Sequence, residues 1–202
     1  MTDKELMLSG ELYIFGGELI DEMKRAKRLT RLINTSTEEE PEKRMRLFRE
    51  LFGSIGENFW IEPPFRIDYG SNTYIGNEFY ANYECIILDV ARVTIGDNVF
   101  FGPRVSVFTA GHPTDAETRN AKLEFGKEIR IGNDVWIGGN TVINPGETIG
   151  DRVVIGSGSV VTHDIPSDTV AAGVPCKVIR EITESEKEYW KNKAAEYRRL
   201  RR

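Results

Sequence analysis

The sequence predicts an all-β solenoid, and the evidence is a six-residue repeat across residues 131–166. Six consecutive hexads each open with an aliphatic residue, namely Ile131, Ile137, Ile143, Ile149, Ile155 and Val161. Glycine follows this residue in four hexads, and a small or β-branched residue stands fifth in most. The strands of a β-sandwich recur at about 8–12 residues, so this spacing is too short for one. It is typical of a solenoid whose hexads each form a short strand and a corner, with three sides to a coil.

The repeat extends upstream with two changes of phase. Apolar residues recur every six positions from Ile61, then shift by two residues before Ile75 and by two more before Ile95. These shifts predict longer corners at both places. After Val107 the pattern stops, because its continuation would place a proline and an arginine inside the coil. We therefore expect residues 109–128 to leave the solenoid as a protruding loop, and a long loop inside a compact repeat is often functional.

The segments on either side of the repeat carry helical signals instead. Residues 1–55 contain apolar residues at helical spacing, and a polar stretch before Pro41 predicts a helix start. Residues 183–202 open with Thr183-Glu-Ser-Glu186, which is the pattern of a capping box. The predicted division is an N-terminal helical segment at 1–55, a β-helix at 56–182 and a C-terminal helix at 183–202.

Composition excludes several classes of function. A net charge of −5 on 202 residues argues against non-specific binding to nucleic acid. No apolar run approaches the length of a membrane span, and the N-terminus lacks the apolar core of a signal peptide. The two cysteines are far apart and do not form a metal-binding pattern. We expect a cytoplasmic protein with reduced thiols, no metal, and no nucleic-acid or membrane partner.

His112 is the clearest candidate for chemistry. It is one of two histidines, it lies in the protruding loop, and Gly111 and Pro113 flank it. Histidine is the usual general base near neutral pH, whereas most loop histidines are ordinary surface residues. The interrupted repeat favours the catalytic interpretation. Asp89 and Glu124 are both candidates to orient the ring, and the sequence does not choose between them.

Together with the hexads, nine motifs spread over nearly the whole chain resemble one family. They resemble the hexapeptide-repeat acyltransferases, specifically the galactoside and maltose O-acetyltransferases. The most specific are the Gly-His-Pro loop, Trp136 and the Gly-Val-Pro-Cys tail. The motifs are SGELY from Ser9, EPP from Glu62, DYGSN from Asp68, YAN from Tyr80, IGDN from Ile95, GHP from Gly111, DVWIG from Asp134, VINPG from Val142 and AAGVPCKVIR from Ala171.

The resemblance implies a left-handed parallel β-helix that assembles as a homotrimer. Acetyl-CoA would lie between two subunits and give its acetyl group to a sugar hydroxyl. His112 matches the family's general base, Asn82 the amide that donates to the oxyanion, and Trp136 an aromatic residue beside the active site. The positions that match coenzyme ligands are Gly139, Ser157, Thr162, His163, Lys177 and Arg180.

The acceptor side departs from the galactoside enzymes. They carry Asp, Ser and Asp at three positions that hold Phe15, Asp68 and Val90 in this sequence. Asp68 and Asp89 resemble the maltose branch and are the predicted sugar ligands, whereas the Gly-Val-Pro-Cys tail resembles the galactoside branch. A galactoside, maltose or glucose acceptor therefore remains open.

Three other functions compete with this one. A carbonic anhydrase on the same fold needs three imidazole zinc ligands, which two histidines do not supply. An acetyltransferase for xenobiotics or amino sugars would use the same loop histidine. A non-catalytic scaffold would keep the hexads without needing Asn82, His112 and Trp136 together. The aromatic residues Phe100, Phe101, Phe108 and Phe125 exceed what a thin solenoid readily buries, which favours an interface between subunits.

Overall fold

A three-sided β-solenoid of about six turns forms the body of the molecule. We describe it from a computed structural model that covers residues 1–201. The strands in chain order are β1 (Tyr13–Ile14), β2 (Ser54–Ile55), β3 (Trp60–Ile61), β4 (Arg66–Ile67), β5 (Thr73–Ile75), β6 (Tyr80–Ala81), β7 (Ile86–Leu88), β8 (Val93–Ile95), β9 (Phe100–Phe101), β10 (Ser106–Phe108), β11 (Ala110–Gly111), β12 (Leu123–Gly126), β13 (Ile129–Ile131), β14 (Trp136–Ile137), β15 (Val142–Ile143), β16 (Thr148–Ile149), β17 (Val154–Ile155), β18 (Val160–Val161), β19 (Thr169–Ala172) and β20 (Lys177–Glu181).

Three sheets form the sides of the solenoid. Their strand orders are β16-β13-β8-β5-β2, β18-β15-β10-β7-β4 and β20-β19-β17-β14-β9-β6-β3. Neighbouring strands are parallel, except that β20 is antiparallel to β19. The β-solenoid predicted from the hexads, with helices before and after it, is therefore confirmed.

The residues that open the hexads stack in three columns inside the coil. One column on the seven-stranded side runs through Ile61, Ala81, Phe101, Ile137, Ile155 and Ala171, in register from coil to coil. Each member is almost completely buried. Parallel strands that stack apolar side chains in this way bury one continuous apolar core.

The coils change length at the predicted phase shifts. Register partners lie 20 residues apart early in the solenoid, as between Ile75 and Ile95, and 18 apart later, as between Ile131 and Ile149. The extra residues lie in corners 68–72 and 89–92, between the β4 side and the β2 side. The longest insertion, residues 109–128, follows β10 at the same corner.

Helices cover the first coil. Helix α1 (Asp3–Ser9) precedes β1, and the hairpin of α2 (Glu18–Asn34) and α3 (Pro41–Leu51) packs on the open end of the solenoid. Phe48 of α3 meets Phe65 of the first coil edge-on, with ring centroids 5.6 Å apart. Asn34 exchanges two hydrogen bonds of 2.9 Å with the backbone of Phe65. This contact fixes the end of α2 to the coil.

The helix starts differ in part from the capping predictions. Pro41 lies in the first turn of α3 as predicted, but Glu40 occupies the N-cap position without a side-chain capping bond. The Glu40 carboxylate instead accepts the Thr37 N–H at 3.1 Å. In α5 (Glu184–Leu200), the Thr183 hydroxyl accepts the Glu186 N–H, so one half of the predicted box forms. The Glu186 carboxylate is bound to Arg180.

The protruding loop is folded back on the N-terminal segment. Within residues 109–128, β11 pairs with β12, helix α4 (Ala116–Asn120) lies between them, and β12 also pairs with β1. The result is a small antiparallel sheet at one corner of the solenoid. Within residues 1–201, no helix is long and apolar enough to cross a membrane.

Candidate active site

The predicted site residues lie at two corners of the solenoid and on its C-terminal hairpin. We call the turn between the seven-stranded side and the β4 side the glycine corner; it consists of residues 82, 102, 138–139 and 156–157. We call the turn between the β4 side and the β2 side the loop corner; it consists of residues 68–72, 89–92, 109–128, 144–147 and 162–164. Each corner contains part of the predicted set.

Close stacking explains most of the small residues at the glycine corner. A Cβ atom added at Gly102 would lie 2.5 Å from the Gly139 nitrogen, and one at Gly138 would lie 2.5 Å from the Ser157 nitrogen. A Cβ at Gly139 would reach the Pro103 carbonyl oxygen at 3.0 Å. Successive coils therefore approach too closely for side chains.

The amide of Asn82 has a defined orientation. Its Oδ1 accepts the Tyr83 N–H at 2.8 Å, while its own backbone N–H donates to Phe101 at 3.0 Å. The Nδ2 group has no acceptor among residues 1–201. Because the oxygen is occupied, the nitrogen is the part of the amide left to form a further hydrogen bond. A neutral donor of this kind can stabilise an oxyanion.

Aromatic residues line the outer face of the seven-stranded sheet beside this corner. Trp60, Tyr80, Phe100 and Trp136 stand in register on consecutive strands, and Val154 and Val170 continue the column. Trp136 is 56% exposed and Phe100 is 50% exposed. Of the four phenylalanines that predicted an interface, only Phe100 belongs to this face. Phe101 fills the core, where its ring stacks edge-on against Phe79 at 5.2 Å.

The small sheet at the loop corner holds His112. Strand β11 ends at Gly111, which pairs with Phe125 of β12, so His112 follows beside Glu124. Tyr13 pairs with Glu124 from the other side, and its hydroxyl donates to the Glu124 carboxylate at 3.0 Å. His112 is exposed, and no residue among 1–201 hydrogen-bonds to its ring. A substrate hydroxyl can therefore reach the imidazole.

Asp89 does not have the predicted role. Its side chain is completely buried, and its carboxylate accepts the Tyr69 N–H at 2.8 Å and the Thr73 hydroxyl at 3.0 Å. Burial raises the pKa of Asp89 to about 7. Asp89 therefore stabilises the 68–72 corner through hydrogen bonds made from the interior. Its burial leaves the carboxylate inaccessible to a sugar and to the His112 ring in this chain, so neither predicted role is supported.

Asp68 remains available to a ligand. It is half-buried beside a cavity of about 300 Å³ lined by Lys27, Thr30, Arg66, Ile67, Asp68 and Leu88. Burial raises the pKa of the Asp68 carboxyl, the charge of Lys27 opposes that shift, and Glu124 adds to it. A carboxylate at the edge of a cavity can accept hydrogen bonds from hydroxyl groups.

The remaining coenzyme candidates are separated from the glycine corner. The Thr162 hydroxyl and His163 Nδ1 lie 2.9 Å apart in the 162–164 turn of the loop corner. Lys177 and Arg180 are exposed on β20, the antiparallel edge strand. Arg180 forms a two-pronged ion pair with Glu186, with N–O distances of 2.6 and 2.9 Å. This pair raises the pKa of Arg180 and lowers the pKa of Glu186.

Sequence reasoning missed Glu186 and the geometry of Asn82. The capping pattern assigned the Glu186 side chain to Thr183, and the pair with Arg180 spans the turn from β20 into α5, where neither strand nor helix periodicity applies. One chain also does not bring Asn82 and His112 together, because the β4 side of the solenoid separates their corners. Among residues 1–201, no cluster of three or more His, Cys, Asp or Glu side chains is arranged to bind a metal.

Comparisons with known proteins show which family the chain resembles. Residues 6–56 match the family described as maltose acetyltransferase hexapeptide capping motif, and residues 128–163 match the family described as bacterial transferase hexapeptide (six repeats). Galactoside O-acetyltransferase of Escherichia coli (strain K12) is 49% identical over 191 residues, covering 94% of this chain and 94% of that protein.

Two solved structures match over most of the chain. A maltose O-acetyltransferase from Clostridium difficile 630 has 52% identity and a TM-score of 0.90, covering 91% of this chain and 99% of the other. A galactoside acetyltransferase in complex with coenzyme A has 48% identity and a TM-score of 0.90, covering 93% of this chain and 94% of the other.

Proposed function

The chain belongs to the galactoside and maltose O-acetyltransferase family of hexapeptide-repeat proteins, and from that membership we propose that it transfers acetyl from acetyl-CoA to a sugar hydroxyl. The observation that carries the proposal is the amide of Asn82. Its oxygen is held by the Tyr83 N–H at 2.8 Å, which leaves the nitrogen to donate. A coenzyme A complex of a relative with 48% identity supports the choice of donor substrate.

The proposed reaction is a direct transfer. His112 takes the proton from the acceptor hydroxyl as its oxygen attacks the carbonyl carbon of the thioester. The Asn82 amide donates to the oxyanion of the tetrahedral intermediate, a contact worth about 3–4 kcal/mol in other enzymes. The intermediate collapses as the C–S bond breaks, and the imidazolium returns its proton to the thiolate of CoA.

A second copy of the chain completes this site. Asn82 belongs to the glycine corner and His112 to the loop corner, so a homotrimer would place Asn82 of one subunit beside His112 of its neighbour. The aromatic column of Trp60, Tyr80, Phe100 and Trp136 supports this assembly, because large exposed apolar faces mark interfaces.

The third side of the solenoid provides a contrast with that column. The residues in register on the outside of the β2 side are Ser54, Tyr74, Thr94, Arg130 and Thr148. This face is mostly polar and does not offer an apolar surface comparable to the aromatic column. Light scattering at micromolar protein checks the proposal: a monomer of 22.9 kDa would contradict the shared site.

Acetyl-CoA would lie along the crevice between subunits. We propose that its pantetheine arm passes Gly139 and Ser157, with Thr162 and His163 on the facing corner. Lys177 and Arg180 would meet its phosphates, where a guanidinium adds a two-pronged contact. Asp68 would accept hydrogen bonds from the sugar, and the exposed ring of Trp136 would lie beside the reacting groups.

An assay of thiol release from acetyl-CoA tests the activity. We expect CoA release that depends on a sugar acceptor, with galactosides, maltose and glucose compared against glucosamine and chloramphenicol. Preference for glucosamine or chloramphenicol would assign an amino-sugar or xenobiotic acetyltransferase on the same site. Absence of acceptor-dependent release with all of them would contradict the enzyme and favour a scaffold.

A further inference from the structure

The guanidinium of Arg180 is hydrogen-bonded along one edge, and a second edge has no hydrogen-bond partner among residues 1–201. Of its five N–H groups, two on Nη1 donate to Glu186 at 2.6 Å and to the Glu181 carbonyl oxygen at 3.1 Å, and one on Nη2 donates to Glu186 at 2.9 Å. The Nε–H and the second Nη2–H have no acceptor among residues 1–201. These two donors point the same way and form a second fork.

Glu186 is itself held in place by the first turn of α5. Its backbone N–H donates to the Thr183 hydroxyl at 3.3 Å. The Ile182 N–H donates to the Asp168 carbonyl oxygen at 2.8 Å, which ties the start of α5 to the last coil. The carboxylate that grips Arg180 therefore projects from an anchored segment.

We propose that Glu186 is a positioning residue of the coenzyme site, which fixes the Arg180 guanidinium so that its open fork receives a phosphate of acetyl-CoA. The inference rests on the proposed role of Arg180 toward the coenzyme. An exposed arginine on an edge strand otherwise samples many rotamers and loses that freedom when it binds. The ion pair with Glu186 restricts the side chain beforehand, which lowers the cost of binding.

The negative charge of Glu186 has the opposite effect, because it repels a phosphate. Glu184 offers a matched control for this charge. It lies in the same helical turn, pairs with Lys187 at 2.7 Å and does not contact Arg180. Its replacement removes the same charge while leaving the grip on Arg180 intact. Positioning and repulsion therefore predict changes of opposite sign.

Calorimetric titration of the full chain with coenzyme A separates the two effects. The variants are Arg180→Ala, Glu186→Gln, Glu184→Gln and the double variant Arg180→Ala/Glu186→Gln. We expect Glu186→Gln to weaken binding about twofold, near the low end of the range for ordering one long side chain and no more than Arg180→Ala does, because Glu186 acts through Arg180. Glu184→Gln should bind equally well or slightly better. The double variant should bind as Arg180→Ala does, because Glu186 acts through Arg180.

The outcomes distinguish this inference from the proposed function beneath it. If Arg180→Ala binds coenzyme A as the wild type does, the proposed coenzyme role of Arg180 is wrong. The positioning role of Glu186, which depends on it, is then wrong as well. If Arg180→Ala weakens binding but Glu186→Gln leaves it unchanged or tightens it, positioning is overturned. An equal loss for Glu186→Gln in the Arg180→Ala background would also overturn it, since that loss could not pass through Arg180.

Discussion

The glycine corner and the loop corner are turns of the same repeat, yet they use their residues differently. At the glycine corner every turn has the same length, and Gly102, Gly138 and Gly139 are set by the close approach of neighbouring coils. At the loop corner the early coils gain residues, and one of them extends into a separate small sheet. The first corner therefore provides a uniform edge, and the second provides groups that the repeat itself does not position.

Loss of His112 should have the largest effect, because it removes the acid–base group from the loop corner. We expect His112→Ala to lower turnover by about 10²–10⁴-fold, the usual contribution of a positioned general base. Coenzyme A binding should be retained. Near-full turnover in this variant would contradict the proposed mechanism, and titration with coenzyme A provides the control.

The second effect concerns Asp89 inside the loop corner. Its pKa is about 7 in the folded chain against an ordinary value of 3.8, so the folded state binds the proton more tightly. Its contribution is fully present below about pH 4 and is lost as pH rises to about 7, a loss of at most about 4 kcal/mol. Chemical denaturation of wild type and Asp89→Asn from pH 4 to 8 measures it. We expect wild type to lose stability relative to Asp89→Asn as the pH rises across this window. A difference that stays constant would contradict the raised pKa of Asp89.

At the glycine corner, the test is steric. A methyl group at Gly138 would lie 2.5 Å from the Ser157 nitrogen, so Gly138→Ala should destabilise the fold by about 1–3 kcal/mol. Gly16 is the matched control, since a Cβ there meets nothing within 4 Å. Thermal unfolding should show a fall of several degrees for Gly138→Ala and little change for Gly16→Ala. Equal melting temperatures would show that coil spacing relaxes easily.

The smallest effect is expected on the exposed hairpin beyond both corners. Arg180→Ala should raise the Michaelis constant for acetyl-CoA about twofold to fivefold, because exposed charge pairs contribute little. Turnover and the acceptor constant should hardly move, the pattern of lost uniform binding. The effect should shrink at high salt. A change confined to the acceptor constant would assign β20 a purely structural role.

The regular part of the fold could be predicted because the six-residue spacing of apolar residues specifies both the strands and the corners. Ile131, Ile137 and Ile143 recur at a spacing that only a stacked coil satisfies, and the shift before Ile75 marks a longer corner. Phe101 shows the limit of this reasoning. Its aromatic side chain suggested a surface, whereas its position in the hexad required the core, and periodicity is the stronger signal.

The site could be predicted only where a residue's chemistry is local. His112 is recognisable from its loop, and the structure leaves its ring open. Asp89 was misread because a carboxylate beside a candidate sugar ligand gives no sign of being buried. The grip of Glu186 on Arg180 depends on how the hairpin turns into α5, and sequence spacing does not encode that turn. Whether His112 and the coenzyme candidates act as proposed stays a prediction.

The helices that cover the first coil bear on how the protein associates with other chains. A parallel coil stack has unpaired backbone groups at both ends, and bare strand edges recruit further chains. The α2–α3 hairpin occupies one end, where Asn34 and Phe48 hold it against the first coil. Without residues 1–55 the first coil would expose an unpaired strand edge, which is a site where another chain can pair. The N-terminal helices thus cover one end of the coil stack.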